Sequence, residues 1–362
     1  MIKIDGSYEE GGGQIIRTAL ALSVITKKPF CAKKIRKKRK NPGLKNQHMY
    51  AVDAASKLSN AKYTGKRQGS TKLEFYPRAW DIKNLNVDIQ TAGSTTLLLQ
   101  SIIFPCMFGG RIVTIRLKGG TDTKWAMPVD YLANVFLPHL MDYAEIDFNL
   151  KKRGYYPKGG GKIKLKLRPK FHLRDYAAFS DFHRDLIKAG KKINLLKRQK
   201  LVEIRGVSHA SKDLLRSNVS DRQAKAARFF LRQFDVPIKI RIEYADTLST
   251  GSGITLWAVF SKADEFEKSK NIIAADSLGE KGKRSEIVGQ EAAKRLISLI
   301  KSEAPVDNYL GDQILPMMGL FPGSKIKVPE ITGHMKSNIY VIEKFLDVEF
   351  EIKENTISCH QK

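Results

Sequence analysis

The sequence predicts an α+β protein that consists of repeated α/β units with a smaller α/β domain inserted into them. Three observations support this prediction. Strand-like runs are followed by a small-residue turn and a helix-like run, and this order recurs several times in the 362 residues. A chain of this length favours about two domains. The composition changes near residue 182, where basic residues become frequent and apolar residues become rare.

The first unit begins with a strand, a glycine turn and a helix. Residues 1–8 alternate apolar and polar side chains, with Ile2 and Ile4 on one face, which is typical of a short strand. Glycines 11–13 end this strand. A helix is predicted over residues 14–25, because their apolar side chains recur at helical spacing.

A second copy of this arrangement begins at residues 91–94. Small residues there precede the apolar run 95–108, which predicts another helix whose far end is disturbed by Pro105. Later strand-like and helix-like runs cover residues 111–117, 162–167 and 286–300. The recurrence of strand, turn and helix indicates a repeated α+β unit.

The inserted domain is marked by a basic segment, residues 183–200, and a compact α/β series after it. Its strands and its helix are predicted over residues 200–210, 222–234, 237–244 and 253–260. Residues 261–285, rich in Lys, Glu, Asp and Gly, lead back to the larger domain. We therefore predict a discontinuous large domain, 1–181 and 277–362, and an inserted domain, 182–276.

Charge and cysteine content restrict the classes of function. The chain has 64 Lys and Arg against 37 Asp and Glu, a net charge of +27, which favours nucleic acid as a partner over a membrane surface. Its apolar stretches are shorter than the ~20 residues that a membrane-spanning helix needs. The N-terminus lacks an apolar signal-peptide core. Because its three cysteines are widely spaced, we expect no disulfide framework or zinc site, and a cytoplasmic location.

The glycine run before the first predicted helix is a candidate phosphate site, because a helix N-terminus offers free N–H groups. Gln14 and Arg17 share one face of this helix. A carboxylate such as Glu10 would repel phosphates unless a divalent cation lay between them, so Glu10 is a candidate metal ligand. A tight structural turn without a ligand is the alternative.

A basic segment, residues 36–40, precedes the turn 41–43 and the polar pair Gln47 and His48. Arginines such as Arg39 can donate two hydrogen bonds to a phosphate, and the turn would hold the segment in a fixed shape. The pattern predicts contact with RNA or a nucleotide, and a solvated charged surface is the alternative.

A second glycine run, 159–161, precedes a strand in which Lys162, Lys164 and Lys166 alternate with apolar residues. We interpret the glycines as a structural turn rather than a ligand loop. The alternation would place the three lysines on one outward face, which suits an acidic polymer.

His334 follows a glycine and precedes an amphipathic run, residues 339–345, that predicts a helix. A histidine at the start of a helix among small polar residues is a candidate catalytic group, and a structural histidine is the alternative. The other six histidines show no zinc-like spacing with carboxylates or cysteines, so we expect no structural zinc site.

Seven motifs occur in a fixed order along the chain: DGSYEEGGGQIIRTALALS, NPGLKNQH, TAGSTTLLLQ, GGTDTKWAMPVDYL, RGYYPKGGG, YLGDQILP and TGHMKSNIYVIEKFL. Together they resemble the RNA 3′-terminal phosphate cyclase family, in particular its catalytic, archaeal-like branch, from about residue 1 to residue 350. The resemblance implies a large domain of three repeated α/β units, similar to enolpyruvate transferases, with a smaller inserted domain.

The resemblance also implies a reaction. Members of the family convert an RNA 3′-terminal phosphate to a 2′,3′-cyclic phosphodiester in an ATP-dependent reaction. A covalent histidine–AMP forms first, AMP then passes to the RNA end, and AMP and pyrophosphate are released. The expected partners are ATP, RNA with a 3′-phosphate end and Mg²⁺ or Mn²⁺. The sequence leaves a homodimer open.

Site residues follow from the resemblance by position. His334 matches the nucleophile, and Glu10 matches a carboxylate near the triphosphate and the metal. The residues that match ATP-binding positions are Gln100, Tyr309, Leu310, Gly311, Asp312, Gln313, Gln14 and Glu10. Those assigned to RNA or phosphate contacts are Arg17, Arg39, Gln47 and His48.

Two other functions are compatible with this architecture. A non-catalytic, cyclase-like RNA-binding factor in ribosome biogenesis would lack the nucleophilic histidine, so His334 argues against it. An enolpyruvate-type transferase would have no evident need for a charge of +27. The salt dependence of RNA binding separates the two RNA-binding functions from the transferase.

Overall fold

The computed structural model describes residues 1–80, 84–262 and 269–362. Its strands are β1 (Ile2–Asp5), β2 (Phe30–Lys33), β3 (Lys62–Thr64), β4 (Leu73–Tyr76), β5 (Asn84–Asp88), β6 (Val113–Gly119), β7 (Ala144–Lys152), β8 (Gly161–Pro169), β9 (Asn194–Leu195), β10 (Lys200–Ser211), β11 (Ile238–Ala245), β12 (Ser252–Ser261), β13 (Asn271–Leu278), β14 (Lys325–Lys327), β15 (Val348–Lys353) and β16 (Thr356–Gln361). Its α-helices are α1 (Gln14–Thr26), α2 (Asn46–Ser59), α3 (Thr95–Gln100), α4 (Ile103–Phe108), α5 (Val129–Tyr131), α6 (Leu137–Leu140), α7 (Phe179–Ala189), α8 (Val219–Leu231), α9 (Ser285–Lys301), α10 (Asn308–Leu320) and α11 (Gly333–Phe345). A π-helical segment, Leu132–Phe136, joins α5 to α6, and short 3₁₀ turns occupy Leu173–Asp175 and Lys212–Ser217.

Three sheets have the same strand order and the same pattern of directions. The orders are β1-β2-β4-β3, β5-β6-β8-β7 and β9-β14-β16-β15. In each sheet the first pair is parallel and the other two pairs are antiparallel. Helices connect the parallel strands, because such strands cannot be joined by a tight turn. The chain is a mixed α/β protein, as the sequence predicts.

A fourth sheet, β11-β10-β12-β13, lies in the long connection between β9 and β14. Helices α8 and α9 cover one of its faces, where a separate hydrophobic cluster includes Ala224, Leu256, Ala292 and Leu296. Helix α7, by contrast, contributes Phe182 to the larger cluster. The other face of the fourth sheet packs into the larger cluster through Val207, Trp257 and Ala274, so only its helix-covered face has a core of its own. The predicted domain limits of 182 and 276 stay a prediction.

The predicted helices are present, but not all of them keep their predicted bounds: the helix predicted over 222–234 is α8, Val219–Leu231, and the one predicted over 95–108 is divided. Helix α1 is apolar on nearly all sides, and twelve of its thirteen residues are buried, because other elements surround it. The single helix predicted over 95–108 is instead two short helices that break at Ser101 and Ile102. Pro105 lacks an N–H and clashes with the carbonyl four residues earlier, so the break falls one turn before the proline.

Two expectations from composition concern the whole chain. In the ranges that the structure describes, none of the helices combines the length and the apolar character needed to cross a bilayer. All three cysteines, Cys31, Cys106 and Cys359, are buried free thiols.

Candidate active site

The glycine run between β1 and α1 places the backbone directly against polar side chains. A Cβ on Gly13 would lie 2.2 Å from Nε2 of His48 and 3.1 Å from an Nη of Arg17. Neither approach leaves room for a side chain, so this position requires glycine. The loop therefore brings the start of α1 next to His48 and Arg17, both of which the sequence predicts as phosphate contacts.

Helix α11 presents His334 to this loop. The Thr332 hydroxyl caps the helix by accepting a hydrogen bond from the N–H of Met335 at 3.2 Å. A Cβ on the next residue, Gly333, would lie only 2.7 Å from Cγ of Glu10, so glycine is needed here too. The capped helix start holds His334 beside Glu10.

Four predicted residues meet around the imidazole. Nδ1 of His334 lies 3.0 Å from Nε2 of Gln14 and 3.3 Å from Oε2 of Glu10. The same carboxylate oxygen accepts a hydrogen bond from Arg39 at 3.0 Å. The side chains of His334 and Glu10 are each 41% exposed, so a ligand can reach them. Because both neighbours face Nδ1, Nε2 is the ring nitrogen that remains for another partner.

Arg17 lies further along α1, one turn beyond Gln14. Its Nε donates a hydrogen bond to Oε1 of Gln100 at 2.8 Å, which links two residues predicted to bind phosphate and ATP. Burial lowers the pKa of Arg17 to about 10, against the opposing effect of the Asp312 carboxylate. Arg17 therefore remains a cation at neutral pH, and part of its hydrogen-bonding capacity is available to an anion.

His48 is a buried, neutral donor. The backbone N–H of Lys45 donates to its Nδ1 at 3.0 Å, so the ring proton lies on Nε2. Burial, reinforced by the charges of Arg17, Arg36 and Lys45, lowers the pKa of His48 to about 3. Within the described ranges, Nε2 is buried and makes no hydrogen bond. An anion at the glycine loop would satisfy this donor.

Asp312 connects the helices behind the histidine. Burial raises the pKa of its carboxyl group, although His334, Arg17 and a hydrogen bond from Asn338 favour the charged form. Nδ2 of Asn338 donates to Oδ1 of Asp312 at 2.6 Å, and the Thr18 hydroxyl donates to Oδ1 of Asn338 at 2.7 Å. These contacts fix α1, α10 and α11 relative to one another.

Thr18 and Asn338 are site residues that the sequence reasoning missed. Helical spacing could have identified them, because each lies four residues after a predicted site residue, Gln14 and His334 respectively. Both side chains also line a small cavity that includes Gln14, a neighbour of His334. Its other lining residues are Ala21, Gln100, Phe104, Asp312, Gln313 and Pro316.

The remaining predicted residues lie at the margin of this arrangement. Tyr309 is half exposed and packs edge-on against Tyr131. Partial burial, together with the charge of Asp276, raises the pKa of Tyr309 to about 12. Leu310 is buried, and Gly311 allows close packing of α10 against α11. Gln47 begins α2 beside the turn at residue 93. The functional roles assigned to all these residues stay predictions.

A second polar cluster was missed entirely. Arg153 is 1% exposed and forms ion pairs with Asp122 at 3.2 Å, Asp130 at 2.8 Å and Glu243 at 2.7 Å. Burial disfavours the arginine charge, but the carboxylates outweigh it and raise the pKa of Arg153. The cluster joins the end of β7 to β11 and therefore ties the second sheet to the fourth.

His209 completes this buried cluster. Its Nδ1 lies 2.7 Å from the Tyr155 hydroxyl and its Nε2 lies 3.4 Å from Asp122. Single ligand atoms of His209, Asp122 and Asp130 lie within 4.8 Å of one another. The spacing of these residues along the sequence does not indicate this grouping, because its members come together only in the fold. Arg153 already supplies a cation between the carboxylates, so the arrangement is a salt-bridge cluster rather than a zinc site.

The chain is similar over nearly its whole length to proteins of one family. A family model described as RNA 3′-terminal phosphate cyclase matches residues 8–352. A protein of that description from Pyrococcus furiosus is 42% identical over 354 residues, covering 98% of this chain and 95% of the relative. Another from Archaeoglobus fulgidus is 41% identical over 360 residues, covering 99% of each chain. The chain therefore belongs to the RNA 3′-terminal phosphate cyclase family.

Proposed function

We propose that this protein converts an RNA 3′-terminal phosphate to a 2′,3′-cyclic phosphodiester at the expense of ATP, releasing AMP and pyrophosphate. The names of its relatives support the overall reaction. The single observation that carries the proposal is the position of His334. Its imidazole stands at a helix start, 41% exposed, with Nδ1 turned toward Gln14 and Glu10.

The first step is attack by Nε2 of His334 on the α-phosphorus of ATP. A nitrogen–phosphorus bond forms, the bond to the bridging oxygen breaks, and pyrophosphate leaves. For Nε2 to hold the lone pair, Nδ1 must carry the ring proton and donate it to Glu10, 3.3 Å away, and the Gln14 amide must then turn its oxygen rather than its nitrogen toward Nδ1. A neutral imidazole is nucleophilic near neutral pH, and the resulting phosphoramidate transfers its AMP readily.

The second and third steps close the ring. An oxygen of the RNA 3′-phosphate attacks the AMP phosphorus, and the bond to His334 breaks. The neighbouring 2′-hydroxyl then attacks the RNA phosphorus, AMP departs, and the hydroxyl proton passes to water. Activation as an anhydride provides a good leaving group, and the adjacent hydroxyl gains from proximity.

The cationic and neutral donors around the loop fit two phosphate-bearing substrates. Arg17 and Arg39 would offset charge as the phosphorus centres react, and His48 would donate its unpaired Nε2–H. The ATP contacts are assigned to the residues around the small cavity and to the first turn of α10.

Glu10 fits a divalent cation. Mg²⁺ is usually held by one or two carboxylates together with substrate phosphates, and Glu10 is a half-exposed carboxylate at the proposed phosphate site. We assign Mg²⁺ or Mn²⁺ to Glu10, where the ion would neutralise charge on the triphosphate. The Arg39 contact at 3.0 Å shows that this carboxylate accepts a cationic partner.

We further infer that the three sheets with one strand order are repeats of a single α/β unit. Their common pattern of one parallel and two antiparallel pairs supports this inference. A cytoplasmic location and a homodimer remain predictions.

The test is covalent labelling. The protein is incubated with Mg²⁺ and ATP labelled at the α-phosphate, and then run on a denaturing gel beside the His334→Ala variant. We expect acid-labile, alkali-stable label on the wild type only, and none from ATP labelled at the γ-phosphate. Absence of label at saturating ATP and metal would contradict the mechanism and favour a non-catalytic RNA-binding factor.

A further inference from the structure

The outer face of the second sheet carries a larger excess of cations than those of the two sheets of equal topology, although Asp88, Glu145 and Asp147 also lie on it. On β8, Lys162, Lys164 and Lys166 alternate with buried Ile163 and Leu165. The first and third sheets have a smaller excess of one sign of charge on their outer faces. They carry Lys3, Lys33, Asp5 and Glu74 in the first sheet and Lys325, Lys327, Glu349 and Glu351 in the third.

Cations stand directly opposite one another across the strands of this sheet. In the register of β6 and β8, Arg116 pairs with Lys164, and Lys118 pairs with Lys162. On the other side of β8, Lys152 of β7 pairs with Lys162. Like charges at opposed positions destabilise a sheet. An anion that lay between them would relieve this repulsion.

Some of these charges have a carboxylate partner and some do not. Lys118 forms an ion pair with Asp88 at 2.8 Å, and Lys152 forms one with Asp246 at 3.4 Å. Among the residues that the structure describes, the three β8 lysines are within ion-pair distance of no carboxylate, although Asp147 stands opposite Lys166 in the register of β7 and β8. The charges of Lys162 and Lys164 are therefore the most available to an external partner.

The basic surface continues into a groove between two sheet edges. The edge strands β7 and β11 enclose a groove of about 740 Å³ that includes Lys151, Lys152, Lys212 and Arg241 among its lining residues. Arg241 also lines the adjoining groove on the fourth sheet. The cations of that second groove are Arg205, Arg228, Lys239 and Arg241. We name the β8 lysines, the β7–β11 groove and this second groove the basic track.

The basic track approaches the candidate active site at the end of β8 that bears Lys162. Strand β6 ends at Gly119, one residue after Lys118. Strand β8 begins beside it at Gly161, one residue before Lys162. The N–H of Gly120 donates to the carbonyl of Gly93 at 2.9 Å. A Cβ on Gly93 would lie 3.9 Å from the Cβ of Gln47, at the start of α2. The residue after Gln47 is His48, which faces the glycine loop.

We propose that the basic track binds the nucleotides upstream of the RNA 3′-phosphate end as a single strand. The proposal rests on the proposed function, because that function places the 3′ end at His334. Lysines two residues apart on a strand are separated by about 6.6 Å, comparable with neighbouring phosphates of an extended strand. A flat membrane could not enter the grooves between the second and fourth sheets, and this shape favours a flexible polyanion.

The experiment compares two variants of equal charge loss. The track variant carries Lys162→Gln, Lys164→Gln and Lys166→Gln, and the matched control carries Lys325→Gln, Lys327→Gln and Lys353→Gln on the third sheet. Equilibrium binding is measured over a range of salt concentrations with a 3′-phosphorylated oligonucleotide long enough to span the track and with a 3′-phosphorylated dinucleotide. Labelling of His334 with ATP alone is measured in parallel.

We expect the track variant to bind the long RNA about tenfold or more weakly, with a log–log salt slope smaller by about two, since each neutralised phosphate contributes roughly 0.7. Dinucleotide binding and labelling should match the wild type, and the control should behave as wild type throughout. Equal long-RNA binding by both variants would overturn the proposal. So would a loss confined to vesicles of anionic lipid or to an acidic peptide.

Binding is measured without turnover, so failure of the proposed function is distinguishable from failure of the track. If the wild type shows no label but the track variant alone loses long-RNA affinity, the surface assignment stands and the catalytic one falls. If the wild type is labelled but both variants bind RNA equally, the catalytic assignment stands and the basic track does not bind the RNA.

Discussion

The molecule contains two clusters of histidine, arginine and carboxylate that differ chiefly in burial. Around His334, the imidazole and Glu10 are each 41% exposed, and both Gln14 and Glu10 face the same ring nitrogen, Nδ1. Around Arg153, every member except Glu243 is almost fully buried, and both nitrogens of His209 face a polar neighbour.

The difference indicates what each cluster can do. Groups that stay half exposed can exchange their partners for a substrate at little cost, whereas buried charges must keep their partners. The same residue types are therefore suited to chemistry at the meeting of α1 and α11, and to joining two sheets at the end of β7. The following experiments test this division.

The largest effect is expected from Arg153→Met. Removing the guanidinium leaves Asp122 and Asp130 buried without a cation, and breaking such a cluster typically costs about 3–5 kcal/mol of unfolding free energy. Denaturant unfolding measures the loss. The matched control is Arg168→Met, which removes an exposed pair with Glu145 and should cost at most about 1 kcal/mol. Equal effects of the two variants would contradict the structural role of the buried cluster.

The next effect concerns the exposed cluster. Glu10→Gln removes the carboxylate beside Nδ1 of His334, and we expect the rate of labelling by ATP to fall about a hundredfold, as for a general acid–base group. The unfolding free energy should change little, because Glu10 is half exposed. Glu243→Gln is the control in the buried cluster: it should lower stability and leave the labelling rate near that of the wild type. If Glu10→Gln instead lowered stability and Glu243→Gln slowed labelling, the two clusters would not have the different roles assigned to them.

These two predictions depend on contacts that local sequence patterns do not contain. The helix 14–25 and the strand 200–210 were predicted to within a residue, because alternation and helical spacing are local properties. Residue types and motifs likewise pointed to Glu10 and His334. Their contact, across more than 320 residues, needed the structure.

Other features could not be predicted for the same reason. Arg153 finds Glu243 at a separation of 90 residues, on a different sheet. Helix α9 has an ordinary amphipathic pattern, which does not show that its apolar face covers the fourth sheet. Burial, which separates a catalytic histidine from a structural one, is a property of the assembled fold.

Acid should lower the stability of the buried cluster gradually as the pH falls. Burial, reinforced by Arg153, lowers the pKa of His209 to about 3 from an ordinary value of 6.5, although Asp130 and Glu243 act in the opposite direction. Below pH 6.5 the unfolded chain binds a proton at this residue that the folded chain does not bind until about pH 3. The contribution of His209 to the unfolding free energy is thus fully present above pH 6.5 and is lost as the pH falls toward 3.

His209→Gln isolates this contribution. Between these pH values the wild type should lose about 1.4 kcal/mol per pH unit relative to the variant. Denaturant unfolding at several pH values gives the difference, in which the effects of groups that do not interact with His209 cancel. Parallel pH profiles for the two proteins would show that His209 is not buried as a neutral ring.

The smallest effect tests how firmly the exposed cluster is held. Thr332 caps α11 through its hydroxyl, and Thr332→Ala should cost about 1 kcal/mol of unfolding free energy. Because His334 lies two residues beyond the cap, fraying of the first turn should also slow labelling by ATP. Thr332→Ser retains the capping oxygen and should restore both quantities. If Thr332→Ala lowered stability but left the labelling rate unchanged, Glu10 and Gln14 alone would be sufficient to position the histidine.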